Sequence, residues 1–185
     1  MTKLLRTTSL AATLAALTLA AAPANAQAVG PTDRNATATA RIIKPLTLTH
    51  VQDLDLGTIL LSGAGAWTGE VVSIDHLGTF SCSNVNVTCS GATQVASYNV
   101  TGTNRQTVTI NAPDVTLVNQ NDNTQTLLME VSCPGSAGTW DCPGSVALPN
   151  SGNTGVPFDL GGRITVNSTT LDGVYLGTFN VTVEY

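Results

Sequence analysis

The chain has 185 residues, of which 42% are hydrophobic, 10% charged and 4% aromatic, with a formal charge of −5. That is the length of one ordinary domain, able to bury a real core. Charged residues usually make up about a quarter of a soluble protein, so this composition excludes charge-rich disorder and argues against a helical cytosolic protein, whose solvent faces need Lys, Glu and Arg.

Residues 1–26 read as an export signal. Lys3 and Arg6 give a positive start, an Ala/Leu-rich run extends from Leu10 to Ala22, and Ala24-Asn25-Ala26 fits the small-x-small cleavage rule. The run is short for a membrane span, and the competing reading is a buried Ala/Leu helix. Cleavage after Ala26 would remove 26 of 185 residues and leave 159, with five basic residues against twelve acids, a formal charge of −7. A charge of that sign argues against nucleic acid or an anionic membrane surface as partner. No later apolar stretch is long enough to span a bilayer, so the expected destination is outside the cytoplasm.

Period-two alternation then recurs along the chain. Ala36, Ala38, Ala40 and Ile42 alternate with Thr37, Thr39 and Arg41. Val108 and Ile110 alternate with Thr107, Thr109 and Asn111, and Phe179, Val181, Val183 and Tyr185 alternate with Thr178, Asn180, Thr182 and Glu184. Thr and Val suit a pleated surface with one buried face. Strands are expected near 36–43, 45–49, 56–61, 69–75, 78–83, 94–100, 106–111, 115–118, 125–132, 145–148, 158–167 and 176–185. Many short strands between Gly- and Asn-rich breaks predict an all-β sandwich or barrel in a single domain.

Cys82 and Cys89 enclose six residues, and Cys133 and Cys142 enclose eight. Four cysteines allow three pairings. The two local ones are favoured because each pair brackets a polar, turn-rich loop, so the bridges are expected to pin hairpin tips. A zinc site is the alternative, but zinc prefers two to four residues within a pair, and an exported chain favours disulfides.

Catalytic signatures are sparse. Only His50 and His76 are present, and no Gly-x-Ser-x-Gly elbow occurs. Asp75 and His76, adjacent on an expected strand, would point to opposite faces. Asp53 and Asp55 could supply half of a calcium site, but read more simply as a solvated loop. Gly161-Gly162 lacks the Lys-Ser/Thr of a phosphate loop and is expected to mark a bulge or bend in a strand. Asn-x-Ser/Thr sequons occur at Asn35, Asn86, Asn99, Asn167 and Asn180; these could accept glycans, although an Asn/Thr-rich chain supplies several by chance. Trp67 and Trp140 are expected to pack in the core or on hairpins, with stacking on a sugar as the other reading. No enzyme activity, metal or cofactor is expected.

The ending Gly173-Val-Tyr175-Leu-Gly177-Thr-Phe179-Asn-Val181-Thr-Val183-Glu-Tyr185 resembles the last strand of bacterial fimbrial subunits assembled by the chaperone–usher route. Ala36 to Ala40, Ile42-Ile-Lys-Pro-Leu-Thr-Leu, Leu54-Asp-Leu-Gly57 and Gly161-Gly-Arg-Ile-Thr-Val resemble a family of exported bacterial proteins known mainly as an uncharacterised domain and distantly similar to spore-coat-U-type pilins.

The resemblance implies an immunoglobulin-like β-sandwich that lacks its last strand and is completed by a donor strand, over residues 42–185. A periplasmic chaperone and an outer-membrane usher would handle the subunit. Residues 27–41, with Ala36, Ala38, Ala40 and Ile42 alternating through and beyond them, would be the donor extension. Tyr175, Gly177, Phe179, Val181, Val183 and Tyr185 would form the strand that receives chaperone or subunit. A second arrangement stays open, in which 36–43 is the domain's first strand and the donor is only Gln27 to Asn35. The function so implied is a head-to-tail surface fibre. The alternative is a monomeric secreted sandwich that binds carbohydrate or a cell surface through Trp67 or Trp140.

Overall fold

The computed structural model describes residues 36–63, 65–82, 85–150 and 155–185. The expected signal, 1–26, and positions 27–35 of the expected extension lie outside them. The chain divides into a unit of residues 1–40 and a compact unit of residues 41–185. In the first, residues 36–40 have no regular secondary structure and are exposed.

The second unit is all-β. Its strands are β1 (Thr47–Gln52), β2 (Thr58–Leu61), β3 (Glu70–Ile74), β4 (Phe80–Ser81), β5 (Val87–Ser90), β6 (Ala96–Thr101), β7 (Thr107–Asn111), β8 (Val115–Asn119), β9 (Thr126–Ser132), β10 (Gly144–Ala147), β11 (Val156–Val166), β12 (Tyr175–Leu176) and β13 (Thr182–Glu184). All pairings among the described residues are antiparallel. The largest sheet runs β1-β6-β11-β9-β8-β12, with β3 beside β11 and β4 beside β3; β10-β7-β13 and β2-β5 form the other sheets. This is a β-sandwich, as the alternation predicts.

The inward residues of the alternating strands form the core. Val108 and Ile110 of β7, Val131 of β9, Val72 of β3, Val100 of β6 and Leu160 of β11 are at most 1% exposed. Each would lose about 1.5–3 kcal/mol of burial if turned outward, so a one-residue register slip is strongly disfavoured.

Two strand-to-strand steps shape the unit. Ala112-Pro113-Asp114 carries the chain from β7 in one sheet to β8 in another. Proline has no N–H to give a ladder, so it ends the first strand there. On one flank β10 pairs with β7 and β9 with β8; on the other, β13 pairs with β7 and β12 with β8. The second step is inside β11, whose residues 156–160 pair with β6 while 162–166 pair with β3 and 161–164 with β9.

Several expectations are corrected. Residues 36–43 form no strand: alanine buries little area, and Ile42 is 89% exposed. The expected strand 176–185 is divided into β12 and β13, because it follows the corner at residues 112–114 from one sheet to the other. Strand β5 was not foreseen; it lies in a stretch where Cys and Ser obscure the alternation. Asp75 and His76 stand at a turn after β3 rather than on a strand, and the Asp75 carboxylate accepts the backbone N–H groups of Leu77 and Thr79. Gly161 and Gly162 carry no register shift. They occupy the point where β11 changes partners, and a Cβ on Gly161 would sit 2.3 Å from the Ile74 carbonyl oxygen.

The disulfides are Cys82–Cys89 and Cys133–Cys142, with Cα separations of 6.1 and 5.2 Å. They do not pin hairpin tips. Cys82 follows β4 of the large sheet, and Cys89 lies in β5 of the two-stranded one. Cys133 follows β9, and Cys142 precedes β10 of the three-stranded sheet. Each bridge therefore closes a connection that passes between sheets.

Candidate functional site: an apolar cleft beside the last strand

An open cleft of about 1770 Å³ lies beside β2 and the segment leading into the last strand. Leu117 of β8, Leu127 and Met129 of β9, and Ile164 and Val166 of β11 line it from the inner face of the large sheet. Residues 54–63, which include all of β2, and residues 170–179 also border it. Ile59, Leu61, Leu117, Leu127 and Phe179 pack against the core but stay partly exposed. These side chains have one covered face and one open to the cleft.

The backbone around the cleft also includes open sheet edges among the described residues. Among the described residues, β12 ends the large sheet beside β8, β13 ends the three-stranded sheet beside β7, and β2 pairs with β5 alone; residues 177–181 between β12 and β13 belong to no strand. An edge presents N–H and C=O groups without strand partners, a template for another chain. Close approach to β8 depends on Gly177, where a Cβ would lie 2.7 Å from Val115 Cγ1 and 2.9 Å from the Thr116 carbonyl oxygen.

One end of the cleft is polar. His50 Nε2 lies 3.1 Å from Asp53 Oδ1, and the rings of His50 and Tyr98 meet edge to face at 5.3 Å. Tyr98 stacks on Phe158 at 5.6 Å. Burial, and then the Asp53 carboxylate, push the Tyr98 hydroxyl above its ordinary pKa. Asp55 exchanges two backbone hydrogen bonds with Gln94, and its carboxylate accepts the N–H of Gly57. Asp55 thus holds the approach to β2. Among the described residues no group of three or more His, Cys, Asp or Glu side chains is placed to hold a metal ion.

Of the expected receiving strand, Phe179, Val181 and Val183 pack against the core. Tyr175 lines the cleft, and its hydroxyl donates to the Leu171 carbonyl at 2.9 Å. Tyr185 lies apart from the cleft; its hydroxyl meets the Lys44 carbonyl. Its alternation with Val183 could not disclose this, because the partner is 141 residues away in sequence. Of the expected donor positions, Ala36, Ala38, Ala40 and Ile42 are all exposed and lie in no strand. The contribution of β2 was missed: Thr58-Ile-Leu-Leu reads as a plain core strand, and only the topology shows that it borders the opening.

The other candidates are engaged elsewhere. Trp67 packs against the core, with its indole N–H directed to the Ser62 carbonyl at 3.4 Å. Trp140 lies under the Arg163 guanidinium, 5.2 Å from the ring centroid, a cation–π contact. Arg163 forms a two-point pair with Glu130, which holds the Glu130 carboxyl below its usual range. His76 Nδ1 is 3.0 Å from Ser132 Oγ, but Ser132 is fully buried, and the Asp75 carboxylate caps its own turn. No helix among the described residues is long and apolar enough to cross a membrane.

Residues 46–185, about three quarters of the chain, match the family model described as "Domain of unknown function (DUF4402)". No curated protein and no solved structure matches. The matched span covers every strand named above, including those that border the cleft, and the chain belongs to the DUF4402 family.

Proposed function

We propose that this protein is a structural subunit of a bacterial surface fibre, exported and then polymerised by donor-strand exchange. The observation that carries the reading is the apolar cleft bordered by the open sheet edge at β12. A sandwich with all its strands would cover Leu117, Leu127 and Phe179. Here a strand from another molecule would cover them, pairing its backbone with the edge and turning alternate side chains into the cleft.

The donor we assign is the N-terminal extension of a second copy, residues 27–42. Residues 36–43 belong to no sheet of their own domain, which supports their use as a donor over their use as a first strand. Ala36, Ala38 and Ala40 fill little volume, so main-chain bonds carry most of the affinity and Ile42 supplies the large side chain. Such a contact is head to tail, does not close, and builds a filament. Before assembly a periplasmic chaperone shields the edge, and an outer-membrane usher orders the exchange. The role is structural rather than catalytic.

The test is electrophoretic. Assemblies from the cell surface should run as ladders in SDS without boiling and collapse to one band on boiling. A chain that stays monomeric and unfolds reversibly, with no ladder when its chaperone is present, would overturn the reading.

A further inference from the structure

Residues 41–46, which join the extension to β1, are held at one place. The Tyr185 hydroxyl donates to the Lys44 carbonyl and accepts the N–H of Thr103 at 2.7 Å. The Lys44 N–H donates to Thr103 Oγ1 at 2.6 Å. Arg41 Nη2 bonds Gln106 Oε1. The Tyr185 hydroxyl lies over Gly102, where a Cβ would sit 2.6 Å from both that oxygen and Leu46 Cδ2. Neither the core nor the cleft requires these bonds: Arg41 and Lys44 are exposed and no residue of 41–46 lines the cleft.

We infer that Tyr185, Thr103 and Gln106 anchor the root of the N-terminal extension so that it is presented to a second copy. The inference rests on the fibre reading above. The last cleft-lining residue of the closing segment is Phe179, six positions before Tyr185. At roughly 3.3 Å per residue the root stands at most about 20 Å beyond the cleft's end. An extension that turned back into its own cleft would have to run parallel to the last strand, since its later residues are tied at Tyr185. The extension of a second copy is free to enter antiparallel, the slightly more stable pairing. Release of the anchor would free residues 41–45, about 16 Å of additional extended chain, while Leu46 stays packed against the core, and relax that bias. Tyr185 is thus a positioning residue for assembly.

The experiment uses the whole exported chain as wild type, Tyr185→Phe and Thr103→Val. The first variant keeps the ring and loses only the hydroxyl. The second removes the acceptor of the Lys44 N–H without touching the last strand. Amide exchange reports the anchor, and unboiled SDS electrophoresis reports assembly. The expected result is about tenfold faster exchange at the Thr103 amide in Tyr185→Phe, as for loss of one neutral hydrogen bond, and at the Lys44 amide in Thr103→Val. In both, at least fivefold more chain should run as monomer.

Unchanged exchange would overturn the anchor. Faster exchange with an unchanged ladder would overturn its role in assembly and leave a merely structural contact. Should the wild type itself give no ladder, the fibre reading fails and the presentation role falls with it, while exchange still decides whether the anchor exists.

Discussion

Gly161 sits in the middle of the longest strand because the backbone of residues 74–76 leaves no room for a side chain: a Cβ there would lie 2.3 Å from the Ile74 carbonyl and 2.7 Å from the His76 nitrogen. Both obstacles are main chain and cannot rotate away. Gly161→Ala should therefore cost about 1–3 kcal/mol, read from urea denaturation at pH 7. In the sequence the glycine pair marks an irregularity, but its kind depends on which strands lie on either side of β11. The Glu130–Arg163 pair gives a pH-dependent prediction. Arg163 lowers the folded-state pKa of Glu130, so the pair's contribution is present above the carboxyl's unfolded pKa and is lost as pH falls through the folded value. The pair is partly exposed, and such pairs contribute about 0–1 kcal/mol. The stability gap between wild type and Glu130→Gln should be small at pH 7 and disappear as the pH falls below the carboxyl's lowered folded value, read from parallel denaturation curves across the acid range.

At the scale of elements, the strands that alternate cleanly are those with one face on the core. Residues 107–111, 115–119 and 126–132 were legible for that reason, since period-two burial repeats every inward side chain. The segment 36–43 alternates as cleanly and forms no strand. Its inward positions would be alanines, whose small buried area does not offset the ordering cost of the backbone. The disulfides were legible as pairs, but their place was not. Each closes a passage between sheets, so its loss should loosen the docking of one sheet on another as well as a loop. Replacing Cys133 and Cys142 together by alanine should lower unfolding free energy by about 2–3 kcal/mol by the chain-entropy estimate. Guanidinium denaturation of the oxidised protein measures it. Reduction of the wild type in native buffer should give a loss of similar size or larger, because it opens both bridges.

At the scale of the whole molecule, the proposed fibre links charge to assembly. Export with signal removal would leave five basic residues against twelve acids, so subunits brought head to tail repel one another. Screening shortens the reach of that repulsion from about 14 Å at 50 mM salt to about 6 Å at 300 mM. Fibre growth from purified subunits should therefore quicken severalfold over that range in light scattering, with little change in final ladder pattern. A fall in rate with salt would mean that attraction between opposite charges, rather than strand pairing, drives association. The neutral Thr- and Asn-rich faces would keep this repulsion moderate, which suits the proposed fibre.

The sequence by itself determined the all-β class, most of the inward-facing residues, the local pairing of the cysteines and the unusual alternation of the final segment. Each follows from short-range rules: a period of two, turn chemistry, and proximity along the chain. The cleft, the partner switch at Gly161-Gly162 and the anchoring of Lys44 by Tyr185 were decided only by the tertiary structure. These features join residues tens to more than a hundred positions apart, and the relevant property is often what lies on the other side of a strand. An edge strand and a central strand can share one alternating pattern; only the sheet order distinguishes β13, which ends its sheet, from β7 at the centre of the same sheet.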